Sequence, residues 1–228
     1  MVRVTLAGPE LAGFPVPEPA ASVRLLIPSS GRSELVMPEW NGNEFLLPDG
    51  QRPTIRTFTP RFYRPDDLEL DLDIVLHEGG ATSAWATAAS PGDPAAISGP
   101  GRGWEMDLAA SRFLLAGDET AIPAIAQLLE SLPGDRPVAV LIETAHPDER
   151  LALPDHPEAT IEWLDRPEDS PPGAVLVPAI RDISIDEGAR LWVAGEAAAM
   201  HRVRQFLFKE IGVPRSRATV RGYWKLRD

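Results

Sequence analysis

Apolar and polar residues alternate over positions 1–6 and again over 68–76, where Leu68, Leu70, Leu72 and Ile74 are interleaved with Glu69, Asp71 and Asp73. A period of two lays one face of a strand on a core and leaves the other outside. The run 22–27, set between Pro19 and Pro28, and the Thr- and aromatic-rich stretch 54–62 read as further strands. The separations are short and hold turn residues such as Pro48-Asp49-Gly50 and Pro91-Gly92-Asp93. That spacing predicts a small antiparallel β-barrel. One short helix is expected over 83–89, entered through Gly79-Gly80-Ala81-Thr82 and capped by Thr82 and Ser83.

Beyond residue 111 the period changes. A short apolar strand at 112–116 is followed by Ile122, Ile125, Leu128, Leu129 and Leu132 at helical spacing, and Pro133-Gly134-Asp135 ends that helix. Further apolar strands are expected at 138–142 and 191–194. The second feeds a helix with Met200, Val203, Leu207 and Ile211 on one face. A last strand would place Arg217, Thr219, Arg221 and Tyr223 on one face. Strands alternating with helices predict a doubly wound parallel sheet. The domains are therefore expected at 1–109 and 110–228, with the switch near 106–111 and a loose loop at 168–172.

Composition narrows the chemistry. The 228 residues suffice for two cores, and with no Cys there is no disulfide, thiolate zinc site or self-held iron–sulfur cluster. Any electrons this chain carries need a bound organic cofactor. No run of eighteen apolar residues exists and the start has no signal-peptide pattern, so no membrane insertion and a cytoplasmic location are expected. The net charge of −12 argues against a nucleic-acid partner. From 201 to 228, however, eight basic residues (Arg202, Arg204, Lys209, Arg215, Arg217, Arg221, Lys225 and Arg227) stand against Glu210 and Asp228. A solvated face and an anion-binding surface explain that segment equally well.

Three stretches carry candidate chemistry. In Arg56-Thr57-Phe58-Thr59-Pro60-Arg61, residues two apart share a strand face, so Arg56 can fork onto a pyrophosphate while Phe58 lies against a planar ring. An ordinary exposed strand face explains the same residues. In 76–86, His77 precedes Gly79-Gly80-Ala81-Thr82-Ser83, small residues that let a helix N-terminus approach a phosphate; a plain helix start explains them without a ligand. In 114–124, Gly117, Asp118, Glu119 and Thr120 make a strand-to-helix turn. Its two carboxylates complement the helix dipole and oppose a second anion. Glu143, just past the second parallel strand, is placed to accept from a ribose diol and to repel a 2′-phosphate.

These stretches, with Trp192-Val193-Ala194-Gly195-Glu196 and the terminal Gly222-Tyr223-Trp224-Lys225, resemble the siderophore-interacting protein family of the ferredoxin reductase-like superfamily. The resemblance implies an N-terminal FAD-binding β-barrel followed by a doubly wound NAD(P)H-type domain, and an oxidoreductase that reduces ferric siderophores and releases Fe(II) in iron acquisition. It assigns FAD to Arg56, Phe58, Thr59, Arg61, His77, Ala81, Thr82, Ser83, Gly117, Asp118, Thr120 and Trp224. The ferric siderophore is expected on Lys209, Arg215, Arg217, Arg221 and Lys225, with Arg217 and Arg221 converging on one anion. No catalytic residue and no metal site is implied, since the cofactor carries the redox chemistry. The resemblance implies NADPH or reduced ferredoxin as electron donor, whereas Glu143 favours NADH. A monomer is expected. Phe58 stands where the family usually has Tyr, and Ala81 where it has Pro. A non-catalytic siderophore carrier and a flavin reductase with another acceptor are the alternative readings.

Overall fold

The computed structural model describes residues 1–226, so Arg227 and Asp228 of the basic segment lie outside the described residues. The chain divides into two compact units, the first Met1–Trp104 and the second from Glu105 onward.

The first unit is built from β1 (Val2–Ala7), β2 (Val23–Ile27), β3 (Glu39–Trp40), β4 (Phe45–Leu46), β5 (Thr54–Phe58), β6 (Pro60–Arg64), β7 (Glu69–Ile74), α1 (Ala81–Ala88) and β8 (Ala96–Ser98). Two three-stranded antiparallel sheets, β1-β7-β6 and β5-β2-β8, form its barrel. Their inward side chains follow the alternation in the sequence: Val23, Leu25 and Ile27 of β2 and Leu70, Leu72 and Ile74 of β7 share one buried cluster. On the outer face of β7, Asp71 and Asp73 are also buried, covered by Arg3, Thr5 and Arg64.

The expected strand over 54–62 is two strands. β5 pairs with β2 and β6 with β7, so the chain changes sheet at Thr59, and the register slips between Pro60 and Phe62. Pro60 has no N–H to donate to a continuing ladder, which suits a strand break at that position.

The second unit contains β9 (Arg112–Asp118), α2 (Ile122–Ser131), β10 (Val138–Thr144), β11 (Ala159–Asp165), α3 (Leu176–Asp182), β12 (Ala189–Glu196), α4 (Ala197–Gln205) and β13 (Ala218–Trp224). The five strands form one parallel sheet in the order β11-β10-β9-β12-β13. Leu114, Ala116, Leu191 and Val193 meet α3 and α4 on one face. Gly117, pointing the other way, faces Ala121 at the entry to α2. The order of the strands reverses between β9 and β12, which makes their carboxyl ends the switch point of the sheet.

Sequence periodicity did not reveal β11 or α3. β11 is an edge strand with polar Thr160, Glu162 and Asp165 among its apolar residues, and it lacks the continuous apolar run of its neighbour β10. The last expected helix also differs. After α4 the chain makes a π-helical turn over Phe206–Glu210, and the amide of Ile211 bonds to Phe206 O. This wider turn rotates Ile211 off the face shared by Met200, Val203 and Leu207, and it is 47% exposed.

Candidate functional site

In the first unit α1 packs against β1 and β5. α1 begins at Ala81, two residues earlier than expected, with Gly80 as N-cap and no side-chain cap. Thr82 and Ser83 are therefore not caps. They are buried within the first turn, and Ser83 Oγ accepts from His77 N at 3.0 Å. A helix start without a capping side chain directs its first N–H groups outward, where an anion satisfies them. Gly80 is held small by its surroundings: a Cβ there would stand 2.5 Å from Cε1 and 2.6 Å from Nε2 of His77, and 2.8 Å from Ser83 Oγ. His77 is exposed, with Nδ1 3.1 Å from Glu78 O. Ala81 is exposed at the first helical position.

On β5, Phe58 lies opposite Val23 and Arg56 opposite Leu25, so both project from the inner face of the barrel. Phe58 packs against the barrel core, as does Trp85 of α1. Arg56 instead stays exposed, and its Nη1 donates to its neighbour's carbonyl, Ile55 O, at 2.8 Å. Thr59 is buried at the change of sheet, and Arg61 is buried with its guanidinium 4.0 Å from the Phe62 ring centroid. Arg56, Phe58 and the start of α1 thus belong to neighbouring elements, whereas Arg61 sits on the other sheet. An exposed guanidinium on β5 and the uncapped start of the neighbouring α1 suit the diphosphate of FAD.

Residues 1–104 match the siderophore-interacting FAD-binding domain, and residues 110–227 match the siderophore-interacting protein model. The chain belongs to the siderophore-interacting protein family. Among relatives, the ferric vibriobactin reductase ViuB of Vibrio cholerae is 32% identical over 99% of this chain and 84% of its own length. A siderophore utilization protein from T. fusca superposes with a TM-score of 0.84 at 33% identity, covering 98% of this chain and 86% of the other. The siderophore-interacting protein SipS from Aeromonas hydrophila gives 0.79 at 31% identity, covering 98% and 91%. A phthalate dioxygenase reductase shares the fold at 17% identity, with a TM-score of 0.60 over 98% of this chain and 62% of the other.

In the family's C-terminal region, the structure gives the expected cofactor residues internal partners. Gly117 admits no side chain, since a Cβ would meet Ala121 and lie 2.5 Å from Ala194 O. Asp118 is 4% exposed. Its Oδ1 accepts from Thr120 N (3.0 Å) and Thr120 Oγ1 (2.5 Å), and its Oδ2 from Glu196 N and Trp224 Nε1, both at 2.8 Å. Burial pushes its pKa above the ordinary carboxylate range, opposed by the bonds from Thr120, Trp224 and Glu196. Glu143, expected to face a ribose, is 1% exposed and accepts from Gly173 N (2.7 Å), Val175 N (3.1 Å) and Leu176 N (2.9 Å) at the start of α3. No sequence signal marks those donors, which lie some thirty positions away.

The five basic residues expected to receive a siderophore do not converge. Arg217 precedes β13, and its guanidinium donates to Ala189 O at 3.3 Å and to Asp186 O, tying down the entry to β12. Arg215 lies over the Phe208 ring at 4.9 Å, and Lys209 is exposed on the π-helical turn. These three stand at the amino edge of the sheet. Arg221 is half-buried mid-strand and Lys225 is exposed past its carboxyl end. At about 3.3 Å per strand residue, Arg217 and Lys225 are roughly 26 Å apart. Among the described residues no cluster of His, Asp or Glu could hold a metal ion, and no helix is long and apolar enough to cross a membrane.

Proposed function

We propose that this protein is an FAD-dependent reductase of ferric siderophores, taking electrons from NAD(P)H or reduced ferredoxin and releasing Fe(II). The observation that carries this reading is the uncapped start of α1, a helix that contacts β5, the strand bearing the exposed Arg56. Membership of a siderophore-interacting family and similarity to a named ferric vibriobactin reductase support the substrate class.

Bound FAD would supply the redox chemistry, accepting electrons from the donor and passing one to each Fe(III). The chain's own residues bind and orient. Arg56 and the first-turn N–H groups of α1 hold the diphosphate, and the Phe58 ring packs under the same side of the barrel. Gly80 keeps the approach open, and Ser83 fixes the preceding turn through His77 N. No side chain is required to act as nucleophile or general base. Arg221 and Lys225, in and just past the carboxyl half of β13, would draw an anionic siderophore, whereas Arg217 bonds the carbonyls of Asp186 and Ala189.

Flavin retention tests the site. Arg56→Ala removes a charge-assisted contact of about 1.5–3 kcal/mol, or roughly tenfold to a hundredfold in FAD affinity. Ser83→Asp places a carboxylate beside the diphosphate and should release FAD on dialysis. Full retention of flavin by both variants would overturn the assignment.

A further inference from the structure

Open parallel sheets bind nucleotides outside the carboxyl ends of their strands, at the switch point, where a tight turn and the helix N-termini offer N–H groups to a diphosphate. In the second unit that place lies at the ends of β9 and β12. Its donors already have acceptors, and the acceptors are carboxylates of the chain itself.

Asp118 at the end of β9 receives two donors on each oxygen, one of them the Trp224 indole. Two donors on each oxygen meet the ordinary capacity of a carboxylate. Glu196 at the end of β12 is 4% exposed, and its Oε2 accepts from Ala198 N (2.6 Å) and Ala199 N (2.9 Å), capping α4. Its Oε1 accepts from Leu226 N at 3.4 Å. Glu119 Oε1 accepts from Ala145 N at 2.7 Å, beyond the end of β10. Glu143 caps α3, with Arg166 Nε 3.6 Å from its Oε1.

Packing closes the place as firmly as hydrogen bonding does. A Cβ on Gly195 would lie 2.6 Å from Asp118 Oδ2, so the end of β12 presses on the carboxylate. Gly117 is occupied by Ala121 and Ala194 O and leaves no approach for a ligand. The stretch Trp224–Leu226 is fastened to both Asp118 and Glu196. An incoming diphosphate would meet saturated N–H groups and added negative charge.

We propose that the carboxyl edge of this sheet is not a pyridine-nucleotide site: Asp118, Glu119, Glu143 and Glu196 stand where the diphosphate and ribose would bind, and Trp224 is fastened to Asp118. These residues set donor specificity by exclusion, and the electron donor reduces the flavin without docking a nucleotide diphosphate there. This rests on the flavoenzyme reading above, but it concerns the second unit alone.

The test is a titration of the whole chain, with and without FAD, by NAD+ and NADP+ to about 1 mM, the upper end of usual Michaelis constants. The readout is the Trp224 indole N–H resonance, assigned with Trp224→Phe. The expected result is no saturable movement, together with an anaerobic flavin-reduction rate that rises linearly with NADH or NADPH. Saturable binding that leaves the indole unmoved would also uphold the proposal, because it places the nucleotide elsewhere. Saturable movement of the indole by either nucleotide overturns it. A chain that fails to hold FAD refutes the flavoenzyme reading instead, and the titration without flavin still reports on the crevice.

Discussion

The indole Nε1 of Trp224 lies 2.8 Å from Oδ2 of Asp118, joining two residues 106 positions apart. Through this bond the end of the last strand is fixed to the end of the first strand of the parallel sheet. The acceptor is a buried carboxylate, so loss of one donor is costly. Trp224→Phe keeps a ring and deletes the donor, and it is expected to lower unfolding free energy by about 1.5–3 kcal/mol. Urea unfolding of the two proteins measures the difference; equal midpoints would show that the bond contributes nothing.

Asp71 and Arg64 are expected to make part of the stability of the barrel depend on pH. Asp71 accepts from Arg64 Nη1 (2.8 Å), Arg64 Nη2 (2.9 Å) and Thr5 Oγ1 (2.8 Å). The Arg64 bonds hold its pKa below the ordinary carboxylate value of 3.8, against the opposing effect of burial. A depressed folded-state pKa means that the unfolded chain binds the proton more readily. The contribution is therefore fully present above the unfolded pKa and is lost as pH falls through the folded one. Asp71→Asn should lower stability at neutral pH and flatten the acid limb of a stability–pH profile, whereas parallel profiles would contradict this.

Thr144 Oγ1, at the end of β10, is buried with no hydrogen-bond partner among the described residues. A hydroxyl removed from water without a partner is a net cost. Thr144→Val keeps the shape and should raise unfolding free energy by about 1 kcal/mol, read as an increase in thermal midpoint. A decrease would mean that the hydroxyl is satisfied in solution.

Arg217→Glu separates a structural role from an anion-binding one. The guanidinium bonds the carbonyls of Asp186 and Ala189, and a carboxylate there would face two oxygens. The variant is expected to lose roughly 1.5–3 kcal/mol of stability. The double variant Arg221→Glu with Lys225→Glu is read on reduction rate instead: it should lose rate with an anionic ferric siderophore, but not with a neutral one. Equal effects on both siderophores would remove these two residues from the substrate surface.

The barrel and the parallel sheet were legible in the sequence because their core strands carry strong periodicity, as in Leu70-Asp71-Leu72-Asp73 and the apolar run of β10. The edge strand β11 carries no such signal, and the π-helical turn at Phe206 depends on a hydrogen-bond pattern that periodicity does not encode. The stretch 56–61 was legible as a candidate site, but not as a crossing between two sheets. The partners of the buried carboxylates were not legible, for a common reason. Asp118 and Glu143 look like exposed acids beside helix starts, and only the fold brings Glu196 N, Trp224 and Gly173 N to them.

The central claim is that flavin held by this chain reduces ferric siderophore. Photoreducing the FAD-loaded protein without oxygen removes the question of the donor. Mixing it with ferric siderophore and a ferrous chelator then follows flavin reoxidation and Fe(II) together. The expected result is full reoxidation with one Fe(II) formed per electron lost from the flavin. Flavin that stays reduced in the presence of excess ferric siderophore would contradict the account.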